Sequence, residues 1–161
     1  MLDKNYNKIV MKFGGTSMAD IDKISKVADH IEREFNSSKK VAVVVSAMSG
    51  ETDRLINLVD AIGKIDNSER DAVISSGEQV SSALLALTLK ARGIQARSVQ
   101  GWQIPLKTDE VHGSARILDV QSKYLDDLIS RKEIPIIAGF QGITDDNRIS
   151  TLGRGGSDTT A

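Results

Sequence analysis

The sequence predicts an α/β fold, a three-layer sandwich in which a mostly parallel sheet carries helices on both faces. Three short, mostly apolar runs at residues 9–13, 41–45 and 134–138 are typical of strands that are buried on both faces. Segments with apolar residues at helical spacing separate these runs, and strands that alternate with helices favour parallel pairing. We therefore expect the three strands to be neighbours in one sheet.

Helices follow the first two strands. Asp20 is a suitable N-cap for a helix whose apolar residues recur every three or four positions. Thr52 can cap a second helix, which Gly63 ends. A longer helical stretch then covers residues 68–92, with an expected break at Gly77.

The second half of the chain predicts shorter elements. Residues 94–99 are assigned to an edge strand, residues 101–113 to an irregular segment and residues 116–120 to a short strand. Residues 124–131 are assigned to a helix, residues 134–138 to a buried strand and residues 141–152 to a hairpin. The edge assignment follows from the lower apolar content of residues 94–99. Pro135 lies near the start of the buried strand, where a missing N–H costs no ladder hydrogen bond. Ser157 or Asp158 is then suited to cap a last helix.

Composition places the chain among globular proteins. It has 161 residues, of which 40% are hydrophobic and 27% charged, and a formal net charge of −1. This balance favours neither nucleic acid nor an anionic membrane, and no apolar run suggests a signal peptide or a membrane span. We therefore expect a cytoplasmic protein. With no cysteine, and with two histidines outside any HExxH pattern, no metal site is predicted.

An anion site is predicted at the end of the first strand by the run Lys12-Phe13-Gly14-Gly15-Thr16-Ser17. Paired glycines leave backbone N–H groups free to surround an anion. A lysine in an apolar strand needs a partner, unless it extends into solvent. Because open α/β sheets bind ligands at the carboxyl ends of their strands, we place the Lys12 ammonium there.

A second glycine-rich run lies near the end of the sequence, Gly153-Arg154-Gly155-Gly156-Ser157-Asp158. Its glycines free the backbone to wrap an anion, and the planar guanidinium of Arg154 suits a carboxylate. Asp158 either caps a helix or positions nearby cations. Two such sites, each with a cation, indicate an enzyme that handles a phosphate and a carboxylate together.

Two further segments have both a functional and a structural interpretation. Residues 46–52 offer small side chains and hydroxyls to a small polar ligand, or serve only as a capping loop. Glu78 either faces a ligand or interacts with the dipole of its helix. The sequence contains no P-loop, and Asp158 replaces the last glycine of a dinucleotide-binding fingerprint.

Taken together, these segments resemble the aspartokinases of the amino acid kinase family. The matching segments follow in the family's order at residues 12–17, 45–50, 76–78, 139–142 and 151–158. The pairing of KFGGTS with GRGGSD is similar to aspartokinases rather than to relatives that act on glutamate, acetylglutamate, carbamate or UMP. The resemblance implies the sheet shared by amino acid kinases and carbamate kinase.

The resemblance also implies a reaction and a set of roles. ATP, with Mg²⁺ bound through the nucleotide, would phosphorylate L-aspartate to 4-phospho-L-aspartate, the first step toward lysine, threonine, methionine and bacterial diaminopimelate. Lys12 would stabilise the transferring phosphoryl group, and Asp158 would orient that lysine. The implied phosphate-binding residues are Lys12, Gly14, Gly15, Thr16 and Ser17. The implied aspartate-binding residues are Ser46, Thr52, Glu78 for the ammonium, Arg154 for a carboxylate, and Ser157.

Members of this family continue well past GRGGSD, with most of the nucleotide pocket, a second lysine and regulatory ACT domains. We therefore expect residues 1–161 to be a truncated kinase domain, namely its N-terminal, aspartate-binding lobe, which forms homo-oligomers or associates with a C-terminal lobe. The 161 residues alone are expected to show no measurable turnover. Two alternatives stay open: an inactive or partner-dependent fragment, and another amino acid kinase.

Overall fold

The computed structural model describes residues 8–37, 39–63, 66–153 and 155–161 and has an α/β fold. Within those ranges the elements are β1 (Lys8–Phe13), α1 (Ile21–Asn36), β2 (Lys40–Val45), α2 (Glu51–Ile62), α3 (Asn67–Ile74), α4 (Ser76–Ala91), β3 (Ala96–Val99), β4 (Leu106–Thr108), β5 (Ile117–Val120), α5 (Lys123–Ser130), β6 (Ile134–Ala138), β7 (Gln141–Ile143), β8 (Ile149–Thr151) and α6 (Gly156–Thr160). The predicted alternation of strands and helices is thereby confirmed.

A four-stranded parallel sheet forms the centre of the fold, in the order β1-β2-β6-β3. The predicted neighbours β1, β2 and β6 are confirmed, and so is the edge position of β3. In this sheet β6 is buried throughout and β2 is buried from Val41 to Val45, because these two strands occupy the middle of the sheet. The expectation of burial on both faces is wrong for β1, which is the other edge strand and leaves Val10 55% exposed.

Helices cover both faces of this sheet and create two apolar clusters. On one face α1 and α4 pack against the strands, and Ile24, Val43 and Leu85 belong to the larger cluster. On the other face α5 places Leu128 in a cluster with Val44 and Ile137. The predicted three-layer arrangement is therefore confirmed.

A second sheet, in the order β5-β4-β7-β8, is not predicted by the sequence. Its outer pairs, β4–β5 and β7–β8, are antiparallel, and its middle pair is parallel. The β7–β8 pair confirms the predicted hairpin. The prediction of an irregular segment at 101–113, in contrast, is wrong, because the segment contains a 3₁₀ turn at Gly101–Gln103 and strand β4. A strand of three residues is too short to show the alternation on which sequence assignment depends.

Two helix starts differ from the sequence-based assignment. Gly50, with a φ of 78°, precedes α2, so that Thr52 lies in the first turn and does not cap the helix. Gly155, with a φ of 74°, precedes α6 in the same way, and Ser157 and Asp158 lie within its first turn. In both places a glycine in the left-handed conformation occupies the N-cap position, and the preferences for capping side chains do not predict such a glycine.

The long helical stretch breaks at Ser75, between α3 and α4, and not at the predicted Gly77. The buried amide of Gln141 fixes this break, since its Nε2 donates to the Ser75 carbonyl at 3.1 Å. Gly77 instead allows α4 to approach the loop after β2, because a Cβ there would lie 2.8 Å from the Cβ of Ala47. The sequence predicts no membrane span, but the combined stretch Asn67–Ala91 is long and apolar enough to cross a membrane. Half of the most apolar part of this stretch is buried inside the fold.

Gly142 in β7 occupies a position without room for a side chain. A Cβ there would lie 2.7 Å from the carbonyl oxygen of Leu106 and 2.5 Å from Cγ2 of Thr108. Because β4 would have to shift, we expect Gly142→Ala to lower the free energy of unfolding by about 1–3 kcal/mol. Urea denaturation measures this, with Gly14→Ala as control, where a Cβ would meet only Lys12 Nζ at 3.5 Å. Equal losses in the two variants would contradict the steric explanation.

Candidate active site

A cleft of about 830 Å³ opens at the carboxyl edge of the parallel sheet. Predicted site residues form much of its lining: Lys12, Gly15, Thr16, Ser46, Thr52, Glu78, Ser157 and Asp158. Gly14 lies beside the ammonium of Lys12, and Ser17 lines a smaller groove on the α1 side. Arg154 lies outside the described residues.

Lys12 and Asp158 form an ion pair in this cleft. Lys12 Nζ lies 2.7 Å from Asp158 Oδ1, and the lysine side chain is 28% exposed. The lysine of the apolar strand therefore has a carboxylate partner and does not simply extend into solvent. The contact also joins the ends of the two glycine-rich runs, which are far apart in the sequence.

The first glycine-rich run forms a tight turn after β1. The Gly14 carbonyl accepts the N–H groups of Ser17 and Met18 at 3.0 and 3.2 Å, and the buried Met18 side chain anchors the turn. Gly15 packs closely on the loop after β2, since a Cβ there would lie 3.1 Å from a carbonyl oxygen. Within the described residues, the backbone N–H groups of Gly15 and Thr16 have no protein acceptor. Two such donors beside an ammonium suit an anion.

Glu78 supplies a buried carboxylate to the same cleft. Its side chain lies in the first turn of α4, and the residue is 3% exposed. Oε1 accepts the N–H of Ala47 at 3.0 Å, whereas Oε2 is buried without a hydrogen-bond partner among the described residues. Burial raises the pKa of Glu78 to about 7, although the bond from Ala47 acts in the opposite direction. A buried acceptor in this state is suited to a charged donor from a ligand.

The remaining predicted substrate residues lie where the central strands end. Ser46 follows β2, and its carbonyl accepts the hydroxyl of Ser81 at 2.8 Å, which anchors the loop to α4. Ser157 is 7% exposed and packs on Gly139, where a Cβ would lie 2.8 Å from the serine Oγ. Thr52 faces the cleft from the first turn of α2. Ser46, Thr52 and Ser157 therefore add their hydroxyls to a cleft that also contains Lys12, Glu78 and Asp158.

Sequence reasoning misses Arg70 and Phe140, which also line the cleft. Arg70 precedes Ile74 and Glu78 at intervals of four residues, so helical spacing from Glu78 is a signal that identifies it. Phe140 has a φ of 69°, a left-handed conformation that is uncommon outside glycine and that often occurs at functional sites. No sequence pattern signals that conformation.

The family model described as the amino acid kinase family matches residues 7–161. An aspartokinase of Rickettsia conorii is 46% identical over 157 residues, which cover 95% of this chain and 39% of that relative. An aspartokinase of Geobacillus stearothermophilus is 47% identical over 154 residues, which cover 95% of this chain and 38% of that relative. The chain therefore spans about 39% of the length of the curated relatives.

Solved structures show the same fold. The aspartate kinase from Synechocystis aligns with a TM-score of 0.78 and 39% identity, covering 94% of this chain and 25% of that chain. Aspartokinase III of E. coli, solved in complex with aspartate and ADP, aligns with a TM-score of 0.79 and 24% identity, covering 94% of this chain and 45% of that chain. At the latter identity the likeness concerns the fold alone.

Proposed function

This chain belongs to the amino acid kinase family, and from that premise we propose that the gene product carrying it is an aspartate kinase. It transfers the terminal phosphoryl group of ATP to the side-chain carboxylate of L-aspartate and releases ADP. One observation carries the proposal: Glu78 Oε2, which is buried and has no hydrogen-bond partner among the described residues, shares a cleft with the Lys12–Asp158 pair. The ammonium of an amino acid can pair with the buried Glu78 oxygen, and the negative charge of a phosphoryl group can pair with Lys12.

Lys12 acts on the transferring phosphoryl group in this proposal. Phosphoryl transfer requires positioning and charge stabilisation, and the attacking oxygen belongs to the substrate carboxylate, so no protein nucleophile is needed. Asp158, whose Oδ1 lies 2.7 Å from Lys12 Nζ, holds the lysine ammonium in the cleft. The two side chains therefore work as one unit, a cation that stabilises developing charge and an anion that orients it.

The turn after β1 holds the phosphates. Its fit to a nucleotide rests on the N–H groups of Gly15 and Thr16, which have no acceptor among the described residues, and on the adjacent Lys12. The resemblance also assigns Gly14 and Ser17 to this cradle, although the Ser17 N–H donates to the Gly14 carbonyl and Ser17 lines the smaller groove. Mg²⁺ that arrives with the nucleotide would neutralise part of the remaining phosphate charge.

Aspartate binds in the same cleft, beside the turn that holds the phosphates. Glu78 Oε2 accepts the substrate ammonium, and the hydroxyls of Ser46, Thr52 and Ser157 complete the pocket. Arg154 binds a carboxylate of the substrate. Because Arg154 lies outside the described residues, its role rests on the resemblance and on the glycines at both sides of it in the sequence.

Substrate profiling tests the proposal on the complete gene product that contains this sequence. ADP release is measured with Mg-ATP and, separately, L-aspartate, L-glutamate, N-acetylglutamate, carbamate or UMP. We expect turnover with L-aspartate, and trapping with hydroxylamine identifies the acyl phosphate. Turnover with a different acceptor would assign the chain to another amino acid kinase.

The nucleotide pocket, the cellular location and the oligomeric state of the gene product are proposed as follows. The curated relatives extend well beyond the matched segment, and we propose that the corresponding part of the gene product contributes the adenine pocket. We further propose a cytoplasmic enzyme, since its substrates are soluble metabolites, and a homo-oligomer. Size-exclusion chromatography with light scattering measures the oligomeric state of the gene product.

Arg154→Ala is expected to raise the KM for aspartate by about 10- to 100-fold, because a substrate carboxylate loses its bidentate, charge-assisted partner. Arg154→Lys keeps the charge without the planar geometry and is expected to give an intermediate KM. Steady-state kinetics on the complete gene product measure both. Arg148→Ala is the matched control, since Arg148 pairs with Glu69 outside the cleft. An unchanged aspartate KM in both Arg154 variants would remove this residue from the substrate site.

A further inference from the structure

Asp71 is a buried acid in α3 to which none of the roles above refers. It is 0% exposed and accepts four hydrogen bonds. Oδ2 accepts the N–H groups of Gly113 and Thr151, each at 2.9 Å, and lies 3.0 Å from Nδ1 of His112. Oδ1 accepts the hydroxyl of Thr151 at 2.8 Å. The carboxylate therefore joins helix α3, the loop before β5 and the end of β8.

Two of these partners belong to the wall of the cleft. Gly113 and Thr151 line it, whereas Asp71 does not. The wall is continuous, because Ala115 donates its N–H to the Thr151 carbonyl at 2.9 Å. It also continues to the second glycine-rich run, since a Cβ on Gly153 would lie 3.5 Å from the carbonyl oxygen of Gly113. Asp71 thus fixes the backbone that leads into that run.

The hydrogen bonds of Asp71 restrain the positions of the loop before β5 and of β8. Hydrogen bonds to a carboxylate are stronger than neutral ones, and a buried carboxylate that loses donors is costly. Any shift of the loop or of β8 would leave Asp71 with fewer donors. Beyond Thr151 the chain packs on the same loop, since a Cβ on Gly153 would also lie 3.5 Å from Cα of Ser114. The position of Gly153 therefore depends on where Asp71 holds this loop and the end of β8.

We propose that Asp71 is a positioning residue of the substrate cleft. By holding Gly113 and Thr151, it sets the wall against which the amino acid substrate binds, and it makes no contact with substrate itself. This proposal rests on the proposed function, since its kinetic effect is read through aspartate binding. Preorganisation of this kind lowers the cost of binding and acts on KM more than on the chemical step.

Asp71→Asn in the complete gene product tests the proposal. The amide is similar in shape but lacks the charge and one acceptor, so the wall loses its strongest restraint. We expect the KM for aspartate to rise by about tenfold, with the KM for Mg-ATP changed by less than about twofold. Thr151→Val removes only the hydroxyl donor and is expected to act in the same direction with a smaller effect. If Asp71→Asn does not fold, the aspartate KM of Thr151→Val tests the positioning role instead.

Ser150→Ala is the matched control. Ser150 precedes Thr151 in β8, and its buried Oγ lies 2.6 Å from Thr108 Oγ1, outside the cleft. This variant loses a buried hydrogen bond and some stability, and we expect its aspartate KM to match the wild type. An aspartate KM that is unchanged in the Asp71 and Thr151 variants, or raised equally in Ser150→Ala, would overturn the positioning role.

Amide hydrogen exchange separates this proposal from the proposed function. We expect exchange in residues 109–116 to be faster in Asp71→Asn than in the wild type, and unchanged in Ser150→Ala. This readout needs no turnover. If the wild type phosphorylates no aspartate but the exchange pattern is as expected, the proposed function fails while the anchoring role stands. Unchanged exchange in Asp71→Asn would overturn the anchor itself.

Discussion

Lys12→Ala is expected to lower kcat by about 10²–10³-fold while the KM for aspartate changes little. The reason is the place of the charge: the Lys12 ammonium is part-buried, at the carboxyl edge of the sheet, and 2.7 Å from Asp158. A cation that acts on charge developing in the transition state affects kcat more than substrate binding. Steady-state kinetics on the complete gene product measure the two parameters separately.

Lys8→Ala is the control for this prediction. Lys8 begins the same strand and pairs with Asp126 at 3.3 Å, but its side chain is 67% exposed and does not line the cleft. We expect normal kinetics from this variant. A raised aspartate KM with an unchanged kcat in Lys12→Ala would instead mean that the lysine binds the ground state and has no special role in the transfer.

The central sheet was predictable because its strands carry an unambiguous signal. The runs that became β2 and β6 are apolar at nearly every position, as burial on both faces requires. The same reasoning overstated the burial of β1, because its composition does not reveal that it lies at an edge. The second sheet escaped prediction for a different reason. Its strands β4, β7 and β8 have three residues each, and their pairing depends on contacts between distant segments.

The candidate site was predictable where a residue type was locally unusual. A lysine in an apolar strand and two glycine-rich runs led to Lys12 and Asp158, which the structure brings into contact. Phe140 and Asp71 were missed because their significance arises only in the folded chain, since an aromatic residue in a loop and a helical aspartate are ordinary in sequence. Arg70 was missed although it lies at helical spacing from Glu78, because a single arginine at that spacing is a weak signal. The place of these three residues around the cleft follows from the packing of α3 against β8 and from the left-handed backbone at Phe140.

Glu78→Gln is expected to stabilise the free protein at neutral and higher pH. Burial raises the pKa of Glu78 from 4.5 to about 7. Between those values the folded protein retains a proton that the unfolded chain releases, so stability falls as pH rises through this window and then levels off. The glutamine variant avoids that loss. We expect it to exceed the wild type by about 2–3 kcal/mol at roughly pH 8 and to match it at roughly pH 4, measured by urea denaturation.

The same substitution is expected to impair catalysis, because the ionised form that destabilises the empty cleft is the form that binds the substrate ammonium. For the wild type we expect the aspartate KM to rise by about tenfold for each pH unit below about 7, as the Glu78 carboxyl takes up its proton. Glu78→Gln is expected to raise the KM by about 10- to 100-fold at roughly pH 8 and to abolish its pH dependence.

Glu69→Gln separates this effect from the general loss of a carboxylate. Glu69 lies on the adjacent helix α3, and its side chain is 67% exposed and paired with Arg148, so neither stability nor the aspartate KM should follow the Glu78 pattern. A gain in stability joined to a loss of substrate affinity is the signature of a strained functional group. If Glu78→Gln destabilised the protein at roughly pH 8, or left the aspartate KM unchanged, Glu78 would be a structural acid and the ammonium site would have to lie elsewhere in the cleft.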